Sequence, residues 1–204
     1  MRNRIFQWRG YILAPVAIVA LLIGKPTFHS FSIGILIAIL GELLRIWGVG
    51  YSGKTTRQGK LTAPELACGG PYAYTRNPLY IGNFITATGF LIIAMGDMEW
   101  HIRIFLMAFF LVAYIGVYGI IIGLEEEFLR KKLGQEYEKY CESVPRIIPS
   151  LKSYPDRKGE FSKEVILEAE IHTILIFIVV ALLFFVKIPR VQAWIFTVIN
   201  WMKG

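Results

Sequence analysis

An all-α integral membrane bundle is the fold class this sequence predicts. Of its 204 residues 55% are hydrophobic and its mean hydropathy is +0.52, values that belong to a membrane protein and not to a water-soluble domain. The apolar residues gather into runs of span length, and the basic residues gather in alternate connections between them. That alternation is the signature of an oriented polytopic chain.

Crossing the hydrocarbon in a helix takes roughly 17–25 residues. The runs 8–23, 31–51, 79–95, 102–123 and 165–188 therefore predict about five transmembrane helices. The first follows Arg2, Arg4 and Arg9 and imitates a secretory leader. No small-x-small cleavage pattern follows Ile23, so it is expected to stay as a span. The second contains Glu42 and Arg45, three residues apart on one helical face. Ionisable groups in a span rarely face lipid, so this pair is either a self-neutralising brace or the polar lining of a substrate cavity. In the fourth run, Gly119-x-x-x-Gly123 allows close helix approach, within the chain or between two chains. The last apolar stretch, 191–202, is too short to cross. With Trp194 and Trp201 it predicts a C-terminal interfacial helix.

With the N-terminus inside, sixteen of the 22 Lys and Arg fall on the cytoplasmic side and five on the other, Arg45 lying within a span. The expected location is a membrane, the plasma (inner) membrane in a prokaryote. The net charge of +7 is explained by this asymmetry and gives no case for nucleic acid. Cys68 and Cys141 both lie on the cytoplasmic side, where a disulfide is not expected. The three histidines are scattered, and no metal site is expected.

Nearly all the polar chain is on one side, in residues 52–77 and 125–164, two segments able to meet over the inner mouth of the bundle. Both are too short to form a nucleotide-binding βαβ domain. The chain divides into a two-helix segment (1–51), a central unit carrying the motifs (52–150), and a C-terminal linker, span and interfacial helix (151–204). Residues Gly48 to Thr55 match the phosphate-loop and dinucleotide glycine patterns. Those patterns need a strand before and a helix after, whereas here a membrane helix precedes and Pro64 follows.

The most informative stretch is Gly70-Pro71-Tyr72-Ala73-Tyr74-Thr75-Arg76-Asn77-Pro78-Leu79-Tyr80. Asn77 is a good N-cap and Pro78 fits the first helical position. The abrupt helix start directs free N–H groups and partial positive charge at the loop, with Arg76 beside it and three tyrosine faces near. This suits an anionic or aromatic small molecule. The second motif opens with Glu125-Glu126-Glu127 and continues through Phe128, Leu129, Leu133, Tyr137, Tyr140 and Val144 at near-helical spacing. It predicts an amphipathic helix on the inner membrane surface, starting at the glutamates, breaking at Gly134 and stopping before Pro145.

Together these motifs resemble the isoprenylcysteine carboxyl methyltransferase family. The likeness runs from about Glu42 to Pro149 and includes Gly134-Gln135-Glu136-Tyr137 and Val144-Pro145-Arg146-Ile147-Ile148-Pro149. The family's Arg-His-Pro-x-Tyr falls on Arg76, Asn77, Pro78 and Tyr80, its Glu-Glu on Glu125 and Glu126, and its late arginine on Arg146. Asn77 replaces the usual histidine, which removes any base at that position.

The resemblance implies S-adenosylmethionine as cofactor and a lipid-like or prenylated acceptor drawn from the bilayer. Gly70, Pro71, Tyr72, Tyr74, Arg76, Asn77, Pro78, Tyr80, Glu125, Glu126 and Tyr137 are the expected cofactor residues. Arg146 and Glu126 are the expected catalytic ones, and Glu42, Arg45 and Arg146 the expected substrate contacts. Two other readings remain at this point. The 140–149 tail also looks like that of the membrane sterol reductases, which use NADPH, and a non-enzymatic transporter or assembly factor needs neither cofactor.

Overall fold

The computed structural model describes residues 14–52 and 65–203; among them the chain is helical and forms no strand. In chain order the helices are α1 (Ala14–Ile23), α2 (Phe28–Ser52), α3 (Pro78–Ala94), α4 (Trp100–Leu133), α5 (Gln135–Ser143), α6 (Lys163–Ala169), α7 (Ile171–Val186) and α8 (Pro189–Lys203). A short 3₁₀ turn, Gly70–Ala73, precedes α3. The expected helical membrane bundle is thus present. Helices α2 and α4 are long and apolar enough to cross a membrane, and the α6–α7 pair counts as a third crossing if its two parts form one span. α3, at 17 residues, is a shorter apolar helix. Part of the first expected span, and Gly53 to Thr55 of the glycine pattern, lie outside the described residues.

The packing of α2 on α3 rests on glycine. Gly34 and Gly41 stand seven residues apart on α2, as do Gly82 and Gly89 on α3, and the pairs meet in antiparallel register. A Cβ on Gly41 would lie 2.5 Å from the Thr86 backbone N and 2.7 Å from the Gly82 carbonyl. Small residues let backbones approach closely where hydrocarbon gives helices no hydrophobic drive to associate. The Gly119-x-x-x-Gly123 pattern, by contrast, makes no such contact among the described residues. A Cβ on Gly119 would meet nothing within 4 Å, and one on Gly123 only the Arg146 side chain.

At one end of the bundle the Lys25 N–H donates to the Ala94 carbonyl (2.8 Å) and the Asp97 N–H to the Lys25 carbonyl (2.7 Å). Lys187 at the end of α7 reaches the Leu21 and Leu22 carbonyls (2.6 and 3.0 Å). These are the connections expected to share the outer face. The motif-bearing segments gather at the opposite end.

Three expectations change. No new helix starts at Glu125: α4 runs unbroken from Trp100 to Leu133. At 1.5 Å per residue it is about 50 Å long, against a hydrocarbon core of about 30 Å, so its last turns project beyond the membrane with the glutamates on them. The break does come at Gly134, where φ is +54°, a conformation that glycine adopts without a Cβ clash. The apolar face beyond it does not lie on lipid either. Tyr137, Tyr140 and Val144 are buried against Cys68, Ala73 and Tyr154, forming a small lobe above α3. The expected span 165–188 is likewise interrupted at Glu170, where α6 and α7 meet with a 60° bend.

Candidate functional site

The two motifs meet. The 3₁₀ turn and the start of α3 are tied to the 145–154 strap by backbone bonds, Arg76 N–H to the Pro145 carbonyl (3.0 Å), Ser150 N–H to Tyr74 (2.8 Å) and Tyr154 N–H to Ala73 (2.8 Å). The buried Thr75 hydroxyl donates to the Ile147 carbonyl at 3.1 Å. Tyr140 OH donates to the Tyr72 carbonyl at 2.7 Å, fixing the turn from above. Gly70 has φ +54° and lies against the Tyr51 ring, so a side chain there would be both strained and obstructed.

Glu126, buried near the end of α4, is the centre of the arrangement. Arg76 Nε lies 3.3 Å from its Oε1 and Arg146 Nε 3.1 Å from its Oε2. Asn77 Nδ2 donates to Oε1 at 3.4 Å and to the Arg146 carbonyl at 3.0 Å. Two guanidinium groups therefore converge on one carboxylate, with the Glu125 carboxylate beside them. The geometry leaves hydrogen-bonding capacity too: the buried Arg76 Nε has no hydrogen-bond partner, and the Arg146 side chain is 44% exposed. The Arg76 Nε is held by Glu126 at ion-pair distance, so the open face of Arg146 is what could meet an anionic ligand group.

Asn77 occupies the N-cap position but does not cap with its side chain. That expectation is corrected: the amide is spent joining α3 to α4 and to the strap. Next to this cluster Tyr80 OH donates to Glu125 Oε2 at 2.7 Å. The Tyr80 ring packs on Tyr118 (centroids 5.2 Å apart) and its carbonyl accepts from Tyr114 OH at 2.7 Å. Tyr137 is buried in the lobe, and burial pushes its phenol well above the ordinary range, with the Glu126 charge adding to it.

Glu42 and Arg45 form a separate cluster within the bundle. Arg45 Nε is 3.4 Å from Glu42, its Nη1 meets Asn83, and its Nη2 contacts both oxygens of Glu170 at 3.0 and 3.2 Å. Gly82 makes room, since a Cβ there would strike the Arg45 stem. The sequence reading missed Asn83, Thr75, Tyr114, Tyr140 and Glu170. Glu170 was visible as a charged residue within an apolar run, an intramembrane ionisable group in search of a partner.

The fold and site define a class: a helical membrane protein with a charged, tyrosine-rich cluster at one end of its bundle. The chain belongs to the phospholipid methyltransferase family, whose model matches residues 29–136. The match takes in Arg76, Asn77, Pro78, Tyr80, Glu125 and Glu126 and ends before Tyr137, Arg146 and Glu170. The chain is also similar to the nickel-cobalt-cadmium resistance protein NccN of Alcaligenes xylosoxydans xylosoxydans, 27% identical over 74% of this chain and 66% of that one. Its likeness to the cobalt-zinc-cadmium resistance protein CzcN of Cupriavidus metallidurans is 26% over 75% and 67%. It spans about two thirds of the length of these relatives. No solved structure matches it.

Proposed function

We propose that the protein is an S-adenosylmethionine-dependent membrane methyltransferase acting on a lipid-like acceptor from the bilayer, with its site on the cytoplasmic side. The observation that carries this reading is the convergence of Arg76, Asn77 and Arg146 on Glu126, joining two motifs far apart in the chain.

The residues present fit the cofactor. Its carboxylate suits Arg76, beside the positive end of α3. Glu125 suits the amino group or ribose hydroxyls, and the tyrosine faces of 72, 74 and 80 suit the adenine and sulfonium. When bound, the cofactor supplies an electrophilic methyl group for in-line displacement. The chain's contribution is positioning and exclusion of water. Glu126, gripped from both sides, orders the two arginines. Arg146, half in solvent, is the contact we assign to the acceptor. A carboxylate acceptor arrives ionised and needs no base; an amine or thiol would have to lose its proton to solvent or to Glu125.

The family's description favours a phospholipid head group, and the likeness to isoprenylcysteine methyltransferases favours a prenylated carboxylate. The relatives' names tie them to metal resistance. Among the described residues, no three His, Cys, Asp or Glu side chains gather to hold a metal ion.

The test is transfer of tritiated methyl from S-adenosylmethionine to nanodiscs containing phosphatidylethanolamine or a prenylcysteine ester precursor. Label in the organic extract, lost in Glu126→Gln, is expected. A folded protein that transfers nothing and binds NADPH instead would establish the reductase reading.

A further inference from the structure

The strap that carries Arg146 has an unusual outer face. Within five residues it presents Ile147 at 42% exposure, Ile148 at 81% and Leu151 at 102%. Single exposed apolar residues need no explanation, but a cluster of large ones marks a contact surface. Its inner face is fully engaged. The carbonyls of Pro145, Arg146 and Ile147 accept from Arg76, Asn77 and Thr75, and the Ser150 N–H donates to Tyr74. Those bonds fix its height in the molecule. Residues 74–77 immediately precede Pro78, where the apolar helix α3 begins, so the strap runs level with the membrane boundary. Basic groups flank the apolar residues, Arg146 on one side and Lys152, exposed, on the other.

We infer that residues Ile147 to Lys152 form a membrane-docking surface, with Ile148 and Leu151 inserted among the lipids of the leaflet on the motif side and Arg146 and Lys152 against anionic head groups. The pattern is that of an interfacial anchor: apolar side chains at the acyl boundary and cations at the phosphate level, where an anionic leaflet attracts them. Charge complementarity selects a lipid surface over a protein partner, for the motif-side segments hold most of the chain's Lys and Arg. Docking also has a consequence inside the molecule. The backbone that enters the bilayer at Ile148 is the one that presents Arg146 to Glu126, two residues away. Lipid contact therefore holds that guanidinium in place and sets its open face at the level where an acceptor head group lies. The inference rests on the chain's lying in a membrane and not on the methyltransferase reading.

The test places an environment-sensitive nitrobenzoxadiazole label on Leu151→Cys in full-length protein carrying Cys141→Ser, Cys68 being buried. Leu151 makes no packing contact to lose, and Ile148→Cys is the second position. The protein is reconstituted in nanodiscs of phosphatidylcholine with phosphatidylglycerol, and a label on the exposed Glu142→Cys reports water. Blue-shifted emission from position 151, quenched several-fold more by shallow nitroxide lipids than by aqueous iodide, is expected. The blue shift should shrink when phosphatidylglycerol is omitted. Iodide quenching equal to that at position 142 would overturn the inference. So would shielding from both quenchers, which would mark a protein cover.

Discussion

Two charged clusters in this protein use the same side chains in opposite proportions. Around Glu126, two arginines share one carboxylate, and one of them is 44% exposed. Around Arg45, two carboxylates share one arginine, and the side-chain exposures are only 14%, 7% and 2% for Arg45, Glu42 and Glu170. The first cluster has spare donors and an open face. The second has no open face and Asn83 adds to its partners, although its Arg45 Nε, like Arg76 Nε, makes no hydrogen bond. A ligand site needs the first arrangement; a brace between helices needs the second. The comparison moves Glu42 and Arg45, expected from sequence to contact substrate, towards a structural role that ties α2 and α3 to the α6–α7 bend.

The largest expected effect comes from breaking the brace. Arg45→Met leaves two buried carboxylates facing each other, and removing one partner of a buried ion pair costs about 3–5 kcal/mol. Thermal unfolding in detergent should show that loss, while S-adenosylhomocysteine affinity of the folded fraction stays at the wild-type value. A stable Arg45→Met protein with lost affinity would reverse the assignment of the two clusters.

Next comes Arg76→Ala. A hydrogen bond to a charged group is worth about 1.5–3 kcal/mol, so ligand binding by the folded protein should weaken roughly 10–100-fold. Gly41→Val should cost about 1–3 kcal/mol through overpacking against the α3 backbone, again without a direct effect on binding. Asn77 sharpens the role of the first cluster. Asn77→His keeps an N–H donor for Glu126 or the Arg146 carbonyl and should retain most binding. Asn77→Leu should lose about 1–3 kcal/mol of site order, read as ligand affinity. The smallest effect is chemical. Burial holds the Cys68 thiol above its ordinary pKa, so less thiolate forms at neutral pH and maleimide labelling should occur at Cys141 and spare Cys68.

Much of this was legible beforehand because it depends on local rules. Apolar run length predicted a helical bundle, of which α2 and α4, and the α6–α7 pair if it is one span, are long and apolar enough to cross, and the two motifs declared themselves by residue type. Three features were not. The start of a helix at Glu125 was inferred from an acidic first turn, but the helix continues because nothing in Leu124 to Glu126 breaks it; glycine does so only at 134. The side chain of Asn77 was assigned to capping by a local preference, and tertiary partners outbid it. Glu170, at the bend, pairs with Arg45, which lies 125 residues away and which no local rule connects to it. The paired glycines at spacing seven are readable in the sequence, whereas the familiar spacing of four at Gly119 packs on nothing among the described residues.

The central claim is that two distant motifs hold one cofactor molecule between them. Calorimetric titration of the purified protein with S-adenosylhomocysteine, in parallel with Arg76→Ala, Glu126→Gln and Arg45→Met, tests it most directly. Saturable one-to-one binding is expected for the wild type and the folded Arg45→Met fraction, with severe weakening in the other two. A folded wild-type protein that gives no heat, or equal binding by all four, would contradict it.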